Sequence, residues 1–190
     1  TDVSQIVPIT YMNSSAALKA FVGEHGGAVC TSTNARAVLD WALGRGRYEA
    51  DGPRGRQVLF FPDQHLGRNT GYAMSFTEAD MRVWNPRLDC GGLEEREVKD
   101  ATLLLWKGHC SVHQRFLPEH VAAFRAEHPG GIVVTHPECR YDTCQLADCP
   151  TLVAAAPKGL FMVGPPALEL DVDAGTGTGE QPLCFVEQTE

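Results

Sequence analysis

An apolar run that stops on a glycine constrains this chain more than any other feature. Leu103-Leu104-Leu105-Trp106 ends at Lys107-Gly108, and His109, Cys110 and His113 follow at once. A short apolar run closed by a glycine reads as a buried strand of an α/β sheet. Open α/β sheets bind ligands just beyond the carboxyl ends of their strands. A thiol and two imidazoles delivered there point to metal ligation or acid–base chemistry. The competing reading is a buried structural cysteine with two incidental histidines.

The same grammar recurs along the chain. Residues 6–12 (IVPITYM) read as a strand, and Asn13-Ser14-Ser15 follows, with Ser14 or Ser15 capping a helix over 16–22. Gly23 to Gly27 breaks that helix. Residues 28–30 form a second strand, and Thr31-Ser32-Thr33-Asn34 offers acceptors for a helix over 35–43. Each hydroxyl-rich turn at a helix N-terminus is a ready site for carboxylate or phosphate, with plain capping as the alternative. Residues 44–56 read as a solvated loop and 57–61 (QVLFF) as a strand. Pro62 to Asn69 reads as a polar segment in which Asp63 caps and His65 and Arg68 face a site. Residues 81–84 make another strand, and the charged stretch 86–100 an exposed insertion in which Cys90 is incidental. Residues 118–128 have helical spacing, with Val121, Ala122 and Phe124 on the apolar side. A buried strand over 132–135 then delivers His136-Pro137-Glu138-Cys139, where a histidine and a carboxylate two apart can act as an acid–base pair; a surface turn is the plainer reading. A helix broken by Pro150 is expected over 142–156, and a strand over 160–163. Strands alternating with helices predict α/β units with short parallel sheets.

Composition narrows the function. The chain has 190 residues, 43% of them hydrophobic, and a formal net charge of −8. An acidic chain lacks the basic face of a general nucleic-acid binder. No run is long enough to span a membrane, and no secretory leader is visible. The start at Thr1 reads as a processed form or a fragment. The seven cysteines, at 30, 90, 110, 139, 144, 149 and 184, include no CxxC pair. They read as reduced thiols, with one or more a ligand, rather than as a disulfide framework. From Gly164 onward no amphipathic period remains, so the tail is expected to be unstructured. Gly175-Thr176-Gly177-Thr178-Gly179 lacks a following helix and is not a phosphate loop.

Taken together the strand-end sequences resemble the quinolinate synthase family, the A protein of the bacterial NAD pathway. The pieces that carry the resemblance are YMNSSAALKA (residues 11–20), CTSTNA (30–35), FPDQHLGRNTG (61–71), WKGHCSVHQRF (106–116) and HPEC (136–139), in family order. The resemblance implies three-layer αβα units in a pseudo-threefold arrangement, with a [4Fe–4S] cluster held by one cysteine from each. It implies a transferase-type condensation of iminoaspartate with dihydroxyacetone phosphate to quinolinate. L-aspartate oxidase is then the upstream enzyme, and the setting is the cytoplasm, with neither nucleic acid nor membrane as partner. By the resemblance Cys110 is the cluster ligand of the middle domain, and Cys139 is not implied as one, since the family's ligand pattern needs no thiol there. Tyr11 and Asn13 match the substrate-contacting pair of a YxN motif, with Tyr11 also counted among the catalytic residues. Ser32 matches a serine that binds a substrate carboxylate or phosphate, and His113 a substrate-facing, catalytic histidine. His136 and Glu138 match the HPE motif, where the glutamate serves acid–base steps.

Against that pattern, residues 1–116 correspond to a middle-type αβα domain, 117–164 to part of a third and 165–190 to a disordered tail. The family's first domain has no counterpart here. The glycine-serine-threonine turn expected after Asp148 is replaced by Cys149-Pro150-Thr151, and Cys149 and Cys184 are the remaining candidates for a last ligand. A second reading is therefore a non-catalytic α/β remnant that binds a small dicarboxylate, a phosphate or a complementing chain. A third is a zinc module built on His109, Cys110 and His113, although that spacing matches none of the common structural zinc patterns.

Overall fold

The computed structural model describes residues 5–129, 133 and 135–146. It divides into two units, the first ending at Cys110 and the second beginning at Ser111. In the first unit the elements run β1 (Ile6–Tyr11), α1 (Ala16–Glu24), β2 (Ala28–Cys30), α2 (Ala35–Leu43), β3 (Gln57–Phe61), α3 (Gln64–Ala73), β4 (Met81–Trp84), α4 (Glu95–Asp100) and β5 (Leu103–Trp106). The five strands form one sheet in the order β2-β1-β3-β5-β4, with every pairing parallel. Parallel neighbours need a crossover, and the crossover helices cover the sheet faces. That is why β3 and β5 read as near-continuous apolar runs rather than as alternating ones. The expected α/β class is borne out.

Register aligns the strand ends. Tyr11 lies opposite Cys30, Thr10 opposite Phe61, and Trp84 opposite Trp106. Everything just past these residues therefore shares one edge of the sheet. Because β2 and β3 flank β1, the chain reverses its direction of travel across the sheet between β1 and β3, where such sheets open a crevice.

The main core lies over the central strands, where Ile9, Leu39, Val58, Phe60, Leu66, Leu103 and Leu105 are buried. α2 contributes Ala35, Leu39 and Ala42, spaced at four and three residues as one helical face requires. α4 belongs to a smaller cluster of Val98, Ala101 and Leu104. The charged stretch from Pro86 is thus more than an exposed insertion, since α4 buries Val98 against the far side of β5. Cys90 is exposed and free, as expected.

α3 is the element that the sequence concealed. Its glycines, Gly67 and Gly71, lie one turn apart on the buried face beside Leu66 and Thr70. Glycine weakens a helix by about 1 kcal/mol relative to alanine, so the pattern looks like a loop. Here the missing side chains let the helix lie flat on the sheet. A Cβ at Gly67 would sit 2.7 Å from Leu105 Cδ2 and 2.8 Å from Phe60 Cδ1. Gly67→Ala is accordingly expected to destabilise despite its better helix propensity. The net loss should be about 1–2 kcal/mol, as overpacking in a filled core outweighs the propensity gain. Thermal unfolding of the variant checks the sign.

The second unit contains α5 (Pro118–Glu127) and α6 (Tyr141–Gln145) among its described residues. Only part of the expected apolar side of α5 is covered: Val121 is buried, Phe124 half-buried and Ala122 exposed. Phe116, Cys139 and Cys144 form a small core there, and Thr143 Oγ1 donates to the Phe116 carbonyl at 2.9 Å. Of the strand expected over 132–135, Val133 and Thr135 are described and buried, and neither belongs to a strand. Of the helix expected over 142–156, α6 holds the residues up to Gln145, Leu146 is its C-cap, and the rest lies outside the described residues. The strand over 160–163 and the tail lie outside the described residues. Among the described residues no helix is long and apolar enough to cross a membrane.

Candidate active-site edge and a buried histidine–glutamate cluster

At the carboxyl edge of β1, Tyr11 is buried and Asn13 exposed. The serines between β1 and α1 divide their work. Ser15 is the N-cap, accepting the Leu18 N–H at 3.3 Å, while Ser14 Oγ accepts from buried Thr10 Oγ1 at 3.0 Å. Beyond β2 the turn closes on itself: Asn34 Oδ1 accepts the Thr31 N–H at 2.6 Å and Thr31 Oγ1 accepts the Asn34 N–H at 3.3 Å. Among the described residues no side chain caps α2, contrary to the expected use of that turn. Ser32 is half-buried beside this uncapped start.

β3 and β5 are joined at the same edge. Asp63 follows β3, and its buried carboxylate caps α3, with Oδ1 accepting from His65 N at 2.7 Å and Leu66 N at 2.9 Å. Its Oδ2 accepts the Cys110 N–H at 2.8 Å. Burial pushes the Asp63 carboxyl up, and the N–H groups of Leu66, Cys110 and His65 and the nearby His109 pull the other way. The cap was legible in the sequence. The bond to Cys110, 47 residues away, was not, because no local pattern encodes it. His65 and Arg68 sit one turn apart on α3, and Arg68 Nε is buried without a hydrogen-bond partner among the described residues.

The thiols differ sharply in environment. Cys110 is free and half-buried at the strand-end edge. Cys30 is fully buried, and burial pushes its thiol up to about 12, which makes it a core side chain rather than a ligand. Cys144 is likewise buried with its thiol pushed up by burial.

The second unit gathers His113, His136 and Glu138, all buried. His113 Nε2 lies 3.7 Å from Glu138 Oε2, and His136 Nδ1 lies 3.4 Å from the same oxygen. The two rings meet edge to face with centroids 4.6 Å apart. His136 Nδ1 accepts the Glu138 backbone N–H at 3.2 Å, so in the neutral ring the proton sits on Nε2. Among the described residues His113 Nδ1 is buried without a hydrogen-bond partner, so its proton is better placed on Nε2, towards Glu138. Glu138 Oε2 thus lies beside both rings, while the His136 Nδ1 lone pair is taken by the Glu138 backbone N–H. Burial lowers both histidines to about 4, and His113 lowers His136 further, so both rings are neutral at pH 7.

Of the residues singled out from sequence, Tyr11, Asn13, Ser32 and Cys110 thus follow the strand ends of the first unit. His113, His136 and Glu138 come together in the second. Their donor atoms lie within 4.8 Å of one another, and among the described residues they form a group able to hold a metal ion. That group contains neither Cys110 nor His109, the other proposed members of a zinc module.

A family model described as Quinolinate synthetase A protein matches residues 1–154. The quinolinate synthase of Rhodopirellula baltica is 53% identical over 148 residues, covering 77% of this chain and 36% of that protein. That of Acidobacterium capsulatum is 53% identical over 144 residues, covering 76% and 36%. That of Corynebacterium glutamicum is 52% identical over 143 residues, covering 75% and 34%. This chain therefore spans about a third of the length of the curated relatives it matches. With a parallel αβα sheet whose motif residues crowd its carboxyl edge, and with half its residues shared over that stretch, the chain belongs to the quinolinate synthase family.

Proposed function

We propose that this chain supplies the middle αβα domain and the start of the third domain of a quinolinate synthase. The enzyme condenses iminoaspartate with dihydroxyacetone phosphate in cytoplasmic NAD biosynthesis, downstream of L-aspartate oxidase. The observation that carries the reading is Cys110: a half-buried thiol at the end of an interior parallel strand, anchored through its backbone N–H and free at sulfur.

The donor chemistry fits a [4Fe–4S] cluster, for which thiolate is the usual ligand, with Cys110 as the contribution of this unit. When bound, such a cluster supplies a Lewis acid that polarises a substrate oxygen. The remaining roles belong to the chain itself. The side-chain-free start of α2 and the Ser32 hydroxyl suit a substrate carboxylate or phosphate, because unpaired helix N–H groups favour anions. Tyr11 and Asn13, next to the crevice between β1 and β3, orient the substrate. His113, neutral at pH 7, and Glu138 beside it serve as proton acceptor and donor, and His136 contacts the substrate.

The test is anaerobic reconstitution with iron and sulfide. It is done on this chain and on a chimaera in which the chain replaces the matching segment of the Rhodopirellula baltica relative. Absorption in the blue and bound iron are expected in the chimaera and lost in its Cys110→Ala variant, with quinolinate formation following the iron. A chimaera that binds no iron, or binds it equally with Cys110→Ala, would sink the reading. The chain would then be a remnant that has kept the fold and an anion site alone.

A further inference from the structure

We propose that Asp63 is the positioning residue for Cys110: one buried carboxylate bridges the start of α3 and the Cys110 backbone, and so sets where the thiol is presented. Its functional meaning rests on the proposed role of Cys110, but the bridge itself stands on the geometry of the first unit.

A helix cap needs a single acceptor, and serine, threonine or asparagine provides it as well as aspartate does. Asp63 satisfies α3 with Oδ1 alone. Its second oxygen takes the Cys110 N–H at 2.8 Å, and only a carboxylate offers an acceptor in both directions. An asparagine that kept the cap would turn its NH2 towards the Cys110 N–H, donor against donor. The residue type is thus specified by the bridge rather than by the helix.

Two further contacts hold the same loop to the same turn. Gln64 N donates to the Gly108 carbonyl at 3.0 Å. Gly108 also packs so closely that a Cβ there would lie 2.2 Å from the Pro62 carbonyl oxygen. The loop from Lys107 to Cys110 is therefore tied down on either side of His109. Cysteine has one side-chain torsion before its sulfur, so fixing its backbone fixes the thiol to within a rotamer. Asp63 is 3% exposed, so water does not compete for the bond.

The experiment compares the 190-residue chain with Asp63→Ser and Asp63→Asn, without iron. Asp63→Ser keeps an acceptor for α3 and is too short to reach Cys110. Peptide-resolved hydrogen exchange should show the Cys110 amide exchanging roughly tenfold faster or more in both variants, as a charge-assisted bond is lost. Amides of β1, β3 and β5 should be unchanged. Alkylation of Cys110 by iodoacetamide should speed up several-fold relative to exposed Cys90, the internal reference. Unchanged exchange and alkylation at Cys110 would overturn the proposal. So would a uniform acceleration across the sheet, because Asp63 would then be a residue of general stability. The cluster reading fails separately, in the iron-binding experiment, whatever these variants do.

Discussion

Gly108→Ala is expected to dislodge the Cys110 loop and to destabilise the first unit by about 3 kcal/mol, the upper end of what overpacking costs. The obstacle is backbone: the new Cβ would lie 2.2 Å from the Pro62 carbonyl oxygen, with Pro62 carbon at 3.3 Å. No rotamer change relieves an overlap between a Cβ and a main-chain oxygen, so β3 and β5 must part at their carboxyl ends. The bonds from Gln64 to Gly108 and from Cys110 to Asp63 span the same gap and should go with it. Chemical denaturation gives the stability loss, and the exchange rate of the Cys110 amide reports the loop. A variant of wild-type stability with a protected Cys110 amide would mean that the two strand ends are not packed as described.

Acid should weaken the second unit well above the range in which ordinary carboxylates titrate. His113 and His136 are held near 4 by burial, against an ordinary value of 6.5. Between those values the unfolded chain binds protons that the folded chain excludes. Stability is therefore complete above about pH 6.5 and falls as pH drops towards 4, by up to about 3 kcal/mol for each histidine. An ionised Glu138, whose oxygen lies 3.7 and 3.4 Å from the two rings, attracts a proton and trims that figure. Denaturation midpoints at pH 7, 5.5 and 4.5 should decline, and His136→Asn should flatten the decline. A variant that leaves the pH slope of the second unit unaltered would show that His136 is not buried as a neutral ring.

Much of the first unit was open to reading. β1, β2, β3, β4 and β5 are short, mostly apolar runs that polar, glycine or proline residues interrupt, and a buried parallel strand needs little else. α1 and α2 begin after polar turns, as helices do, although α1 runs past Gly23 to Glu24. The motif pieces that identify the family are also local, since each is a strand end and the turn after it. α3 was hidden because its glycines answer to Leu105, Phe60 and Met81, residues from other strands. Which serine caps α1 depended on Thr10 claiming the other.

The amino-acid sequence alone determined the alternation of strands and helices, the thiol and imidazoles after the last strand of the first unit, and the family. Local propensity and pattern act over a few residues, and these features span no more than that. Tertiary structure alone decided that Asp63 holds Cys110 across 47 residues, that Cys30 is core and Cys110 is not, and that His113 meets Glu138. Burial and hydrogen-bond geometry depend on what other segments bring to a position, and a side chain's chemistry follows from those neighbours.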